Sequence, residues 1–318
     1  MTNKKKTRAS SLDYQTILEE IAKEVQPLLA MGKVADYIPA LADEDKNQFA
    51  MTLTLFDGSE YRVGCSDKLF SIQSISKVFS FTQALKFYGK SLYKRVGVEP
   101  SGNPFNSLVQ LEYEQGKPRN PFINAGAINV SDTLVNFYGG ADEAYKEILA
   151  FVREISDEES IESNEVTSKS EMEFGFRNLA LANLMKSFNN LDNDVLEVVQ
   201  NYFKQCSIEM STKMLSRAML YLANDGIDPI NAKTYITPSQ SKRINAVMLT
   251  CGHYDASGDF AFNVGLPAKS GVGGGIVAVV PNLMGIAVYS PGLNEHGNSL
   301  VGTKALELFT DKTGLSIF

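Results

Sequence analysis

Cysteine and histidine are both scarce in this chain. The three cysteines, Cys65, Cys206 and Cys251, are an odd number with no Cys-x-x-Cys spacing. That pattern argues against a disulfide framework and against a zinc site, and neither metal nor cofactor is expected. Only two histidines occur, His253 and His296, so a histidine-based triad would have to use one of them, and lysine becomes the more natural base for a serine nucleophile. Positive charge is not in surplus: 30 Lys and Arg stand against 37 Asp and Glu, a formal charge of -7, and nucleic acid is not an expected partner. Long apolar runs are missing too, and no stretch approaches the length that spans a bilayer. Met1 to Ser10 holds Lys4, Lys5, Lys6 and Arg8 with no apolar segment behind them, unlike a signal peptide. Residues 1–10 read as a disordered basic tail, and the protein is expected in the cytoplasm, with no membrane partner.

What is present is an ordinary globular composition. The chain has 318 residues, 44% of them hydrophobic, enough for a large core or two subdomains. Leu12, Ile17, Ile21, Val25 and Leu28 recur at helical spacing before Gly32. Phe49, Met51, Leu53 and Leu55 alternate with small polar residues, Asp57-Gly58 marks a turn, and Tyr61, Val63 and Cys65 alternate again, the pattern of a β-hairpin. From about 90 to 250 helical patterns dominate, over 141–155, 177–188, 192–206 and 212–223. The polar, acidic stretch 156–173 reads as a solvated loop. Strand patterns return at 260–265, 275–280 and 284–289, and a last helix over 300–309 would be capped by Asn298 or Ser299.

Both ends are thus β-rich and the middle helical. The expected fold class is α/β of the α+β kind: one antiparallel sheet flanked by the terminal helices, plus a helical subdomain. The division would be 11–90 with 250–318 as a discontinuous sheet subdomain and 91–249 as the insertion, together one catalytic domain. A cleft between the two is the natural place for a site.

Two short segments carry chemistry. Ser74-x-x-Lys77 lies ahead of the apolar run Val78, Phe79, Phe81, Ala84 and Leu85. A helix sets residues three apart on one face, so Lys77 would stand beside Ser74 as its base, which a serine nucleophile requires. Chance also places Ser-x-x-Lys in helices, and Ser71 and Ser76 compete with Ser74, Ser71 as a possible cap. The second segment, Lys269-Ser270-Gly271, precedes Val272-Gly273-Gly274-Gly275. Penicillin-recognising serine enzymes pair Ser-x-x-Lys with a late Lys-Thr-Gly or Lys-Ser-Gly strand, in this order. The glycines do not form a phosphate loop, because Lys269-Ser270 precede them; a plain glycine-rich strand is the competing reading. Ser131-Asp132-Thr133, which could pass for the Ser-Asp-Asn box of β-lactamases, reads as a helix cap.

From Gly32 onward the chain resembles the serine-dependent glutaminases of bacteria and animals. The resemblance runs through Gly32-Lys-Val-Ala-Asp-Tyr-Ile-Pro, Phe70-Ser-Ile-Gln-Ser-Ile-Ser-Lys77 and Asn120-Pro-Phe-Ile-Asn-Ala-Gly-Ala-Ile128. It continues through Glu171 to Gly175-Phe-Arg-Asn178, Met248-Leu-Thr-Cys-Gly-His-Tyr-Asp-Ala-Ser-Gly258 and Leu266-Pro-Ala-Lys-Ser-Gly-Val-Gly-Gly-Gly275. It implies a β-lactamase-like fold and hydrolysis of L-glutamine to L-glutamate and ammonia. It also implies Ser74 as nucleophile, Lys77 as base and Tyr254 as proton relay, with the backbone N–H groups of Ser74 and Val272 as oxyanion hole. Tyr37, Asn124, Glu171, Asn178 and Tyr202 match substrate-binding positions, with Glu171 facing the substrate ammonium, and Lys269 matches the second lysine of the cleft. A homo-oligomer, dimer or tetramer, is implied as well. His253 stands where the resemblance leads one to expect methionine, and reads as a tolerated swap on a partly exposed turn. The competing functions are a penicillin-recognising acyltransferase or β-lactamase-like hydrolase, and a non-catalytic amino-acid-binding module.

Overall fold

The computed structural model describes residues 12–318; the basic tail expected over 1–10 lies outside the described residues. The helix α1 (Tyr14–Val25) leads into the hairpin β1 (Ala50–Leu55) and β2 (Glu60–Gly64). A short strand β3 (Phe70–Ser71) precedes α2 (Ser76–Tyr88). The helical middle comprises α3 (Leu108–Tyr113), α4 (Asn124–Tyr138), α5 (Ala141–Ser156), α6 (Glu165–Phe174), α7 (Phe176–Ser187) and α8 (Val195–Cys206). After β4 (Glu209–Met210) come α9 (Thr212–Ala218), α10 (Leu220–Ala223), α11 (Pro238–Cys251) and α12 (Ser257–Asn263). The strands β5 (Ala268–Ser270), β6 (Gly275–Val280) and β7 (Met284–Tyr289) and the helix α13 (Leu300–Thr313) end the chain.

Five strands form one sheet in the order β2-β1-β7-β6-β5, antiparallel throughout, with Ala50 opposite both Gly64 and Tyr289, and Lys269 opposite Val277. Successive strand residues point to opposite faces, and here both faces are covered. Met51, Leu53, Ile276, Ala278, Ile286 and Val288 pack with Leu18, Ile21, Ala305 and Phe309 of α1 and α13. Ala50, Val277, Val279, Ala287 and Tyr289 face a second core with Phe79, Phe81, Leu215 and Met219. That is why β6 and β7 are buried at every position and read as continuous apolar runs. The helix α9, though within 91–249, lies on this sheet: Thr52 and Thr212 hydroxyls meet at 2.8 Å, and Thr54 and Ser216 hydroxyls at 2.7 Å.

Three sequence expectations change. Residues 260–265 were expected as strand; instead α12 runs over 257–263, with Phe260 buried and Phe262 87% exposed, so the alternation marks no sheet face. The stretch 156–173 is not all loop, because α6 starts at Glu165 with Asn164 as its side-chain cap. Ser131-Asp132-Thr133 is not a helix cap but lies inside α4. There the buried Asp132 pairs with Arg95 and accepts the backbone N–H of Asp192 and Asn193. At the chain's end Ser299, rather than Asn298, caps the last helix through the N–H of Gly302.

Candidate active site

Ser74 sits in a single 3-10 turn, Gln73–Ile75, joined directly to α2. Gln73 adopts φ 48, a left-handed conformation that costs a non-glycine residue on the order of 1 kcal/mol. The turn thereby presents Ser74 while α2 stays buried from Ser76 to Leu85. Ser71 does not cap it; its hydroxyl donates to the Cys206 carbonyl at 2.9 Å. Ser76 donates to Gln73 O at 2.7 Å and belongs to the turn's scaffold.

Lys77 points inward, 1% exposed. Its Nζ donates to Phe122 O at 3.1 Å and Asn124 Oδ1 at 2.7 Å and lies 5.8 Å from the Tyr202 ring centroid. Among the described residues no hydrogen bond joins it to Ser74. Burial, which disfavours the charged ammonium, lowers Lys77 to about 8, with Cys206 and Glu171 acting the other way. Lys269, on β5, is also fully buried; burial first, then the Lys77 charge, hold it well below a normal lysine. Its Nζ donates to Ser270 O and stands 4.4 Å from the Tyr254 ring centroid.

Tyr254 opens a short turn after α11 at φ 57. Its hydroxyl donates to Ser270 O at 3.3 Å, and its ring lies 4.6 Å from that of Phe105. Burial raises its phenol, and the neighbouring Ser74 hydroxyl eases it back, so the group is a neutral donor and acceptor at physiological pH. Across the cleft, the Val272 N–H has no partner among the described residues. Glycine is needed beside it: a Cβ on Gly273 would stand 2.2 Å from Ser71 O, so the loop comes in against the strand that leads to Ser74.

The opposite wall comes from the helical layer. Asn124 begins α4, Glu171 lies on α6, Asn178 on α7 and Tyr202 on α8. Asn124 Nδ2 donates to Asn178 Oδ1 at 2.9 Å, and Tyr202 donates to Asn124 Oδ1 at 3.4 Å. Burial pushes Glu171 up to about 7, against a hydrogen bond from Gln73 and the Lys77 charge. Tyr37 stands at the mouth, 58% exposed.

One cleft of about 670 Å³, counted to its open mouth, is lined by Tyr37, Ser74, Asn124, Glu171, Asn178, Tyr202 and Val272. Lys77, Tyr254 and Lys269 lie buried beneath it. Sequence reasoning passed over Gln73, Phe105, Arg177 and Cys206, which line it too. Gln73 Nε2 donates to Ser71 Oγ at 3.0 Å while its side chain supports Glu171; adjacency to Ser74 was its only signal. Burial pushes the Cys206 thiol up to about 12, which makes it a packing group rather than a nucleophile. Among the described residues no cluster of His, Cys, Asp or Glu could hold a metal. The arrangement offers a serine, a lysine of lowered basicity, a Val272 N–H with no partner among the described residues and a buried acid, the parts of an acyl-transfer site with a pocket for a small cation-bearing substrate.

The glutaminase family model matches residues 32–318. The glutaminase of Aliarcobacter butzleri is 64% identical over 96% of this chain and 100% of its own length. That of Rhizobium rhizogenes is 54% identical over 96% and 99%. Among solved structures, a probable glutaminase from Bacillus subtilis complexed with 6-diazo-5-oxo-L-norleucine superposes with a TM-score of 0.88 at 35% identity, over 97% of this chain and 98% of that one. A Bacillus glutaminase crystallised in 4.3 M NaCl gives a TM-score of 0.89 at 36% identity, over 96% and 100%. The antiparallel sheet flanked by helices is the β-lactamase-like fold of these neighbours. The chain belongs to the glutaminase family.

Proposed function

We propose that the protein hydrolyses L-glutamine to L-glutamate and ammonia through an acyl-enzyme on Ser74. Neutral Lys77 takes the Ser74 proton as Oγ attacks the side-chain carbonyl. The N–H groups of Ser74 and Val272 receive the oxyanion. Tyr254 passes the proton to the departing ammonia, and water then releases glutamate by the reverse relay. Lys269 steadies the Tyr254 ring. Glu171 takes the substrate ammonium; Asn124, Asn178 and Tyr202 take the carboxylate, with Tyr37 at the mouth.

The observation that supports this most is the lysine of lowered basicity buried beneath a cleft that also holds Ser74 and Glu171. Separately, the ligand named for the Bacillus subtilis neighbour is an amino acid whose C5 carbonyl corresponds to that of the glutamine amide. Ammonia release from L-glutamine and L-asparagine tests the reading. The shorter amide places its carbonyl one methylene away from Ser74, and displacement of that size can cost about 100-fold; equal rates on the two would refute it.

Three further points belong to the same proposal. The cleft lies between a sheet subdomain (11–90 and 250–318) and an inserted helical one (91–249). The working form is a homodimer or homotetramer, which light scattering tests. The location is cytoplasmic, which cell fractionation tests; among the described residues no helix is long and apolar enough to cross a membrane.

A further inference from the structure

His253 immediately precedes Tyr254, and the structure overturns its reading as a partly exposed residue. It is 2% exposed, and its ring stacks on Phe260 with centroids 3.5 Å apart and planes at 12°. Among the described residues its buried Nε2 has no hydrogen-bond partner. Its backbone is part of the turn that carries Tyr254. His253 N–H donates to Ser257 Oγ at 3.0 Å, Ser257 Oγ donates to Tyr254 O at 2.9 Å, and Asn298 Nδ2 donates to His253 O at 3.3 Å. Tyr254 itself sits at φ 57, a conformation that persists only while its surroundings enforce it.

The charges around the ring give a proton on it no support. From β5, Lys269 adds to burial in holding the imidazole neutral. On its own turn, Asp255 is engaged by His296 Nδ1 at 3.2 Å, and Glu295 on that second loop is exposed. Asp259 on α12 is exposed. Cys251 on α11 has its thiol pushed up to about 11 by burial. Among the described residues no carboxylate is bonded to His253.

We propose that His253 is a positioning residue for Tyr254 that makes this enzyme acid-sensitive: the neutral imidazole, packed on Phe260, holds the turn, and a proton on it drives the ring toward water and moves Tyr254 out of the site. The inference rests on Tyr254 acting as the proton relay. Protonation in place would leave a buried charge with no counter-ion, whereas exit costs only the stack on Phe260. A methionine at this position, as the family resemblance leads one to expect, carries no charge at any pH and has no such response.

The test is the pH profile of kcat and KM for wild type and His253→Met, each normalised to its own value at pH 8. The limbs that Lys77 and Glu171 impose are common to both proteins. Below the ordinary imidazole range, wild-type kcat should fall by up to about tenfold more per pH unit than the variant's, the slope one extra proton gives, and should return on back-titration. Parallel profiles overturn the proposal. Should His253→Met not fold, His253→Phe keeps an uncharged ring on Phe260. With only two histidines in the chain, proton NMR of the wild type gives an independent answer. The His253 resonance, identified by its loss in His253→Met, should stay that of a neutral ring until activity drops; its titration with activity intact overturns the proposal. Full turnover in Tyr254→Phe would instead remove the relay reading beneath it, whatever His253 does.

Discussion

Lys77 Nζ and Asn124 Oδ1 are 2.7 Å apart. The proposed base is therefore tied directly to a residue of the proposed substrate pocket. Asn124 also bonds Asn178 and Tyr202, so a single amide holds the lysine and the wall proposed to bind the substrate carboxylate in one frame. Its neutrality matters. A carboxylate in its place would favour the charged lysine and stop it from accepting the Ser74 proton. Asn124→Asp should lower kcat at pH 8 by at least about tenfold, and the rising limb of the pH–rate curve should move upward, as one pH unit of added basicity requires. A raised KM with an unshifted limb would confine Asn124 to substrate binding.

Ser74→Ala and Lys77→Ala should each abolish nearly all turnover, and the double variant should be little worse than either, because groups acting as one unit are not additive. Steady-state ammonia assays of the three proteins measure this. If Ser76→Ala is dead while Ser74→Ala works, the nucleophile is Ser76, despite its bond to Gln73 O.

Glu171 links binding to stability. Its folded pKa is raised to about 7 from an unfolded value near 4.5, so the folded state binds more protons between those limits and stability falls as pH rises through them. At pH 7.5 the buried carboxylate works against folding by on the order of 3 kcal/mol. Glu171→Gln should therefore raise Tm at pH 7.5 and lose that advantage near pH 4.5. The same change removes the ammonium's proposed partner and should raise KM through a loss of roughly 1.5–3 kcal/mol. A normal KM with a collapsed kcat would instead make Glu171 an acid–base group.

Rate should climb with pH for two reasons that share a sign. Glu171 must lose its proton near 7 to hold the ammonium, and Lys77, lowered to about 8, must lose its own to act as base. In kcat/KM both limbs should appear; Glu171→Gln should keep only the higher one. A profile that falls between pH 6 and pH 8 would contradict both assignments.

Asp132 is wholly buried against Arg95 and also holds the N–H groups that start the segment before α8. Asp132→Ala leaves Arg95 with only the more exposed Asp192 as counter-ion and unpairs the N–H groups of Asp192 and Asn193, and should cost at least about 1–3 kcal/mol, seen in denaturant midpoints. Activity per folded molecule should change little, because the residue lies away from the cleft.

The parts that could be read from sequence are those where pattern and burial coincide. The continuous apolar runs at 275–280 and 284–289 are strands because the sheet is covered on both faces. The pairing of Ser74-x-x-Lys77 with Lys269-Ser270-Gly271 survives the loss of everything between, since the chemistry needs few residues. Where function has replaced an apolar stripe, the pattern fails. The helix α6 fully buries only Thr167 and Glu171, with Met172 half-buried against the core, so it looks like solvated loop. Phe260 and Phe262 alternate like a strand, yet one is buried under His253 and the other faces water. Gln73 is marked only by its place beside Ser74, because its role comes from a backbone angle and from hydrogen bonds that no local pattern shows.

The sheet's strand order has a consequence for how the protein is made. The strand β1 has β2 beside it in the chain, but its other edge is reserved for β7, which leaves the ribosome much later than β1. Until then the hairpin shows an open edge rich in apolar residues, the situation in which strands pair wrongly between chains. The donor loop at Val272 also emerges late, long after Ser74 and Lys77. A nascent or truncated chain can carry the proposed nucleophile and its base and still be inert, so catalysis waits on the segment that brings Val272.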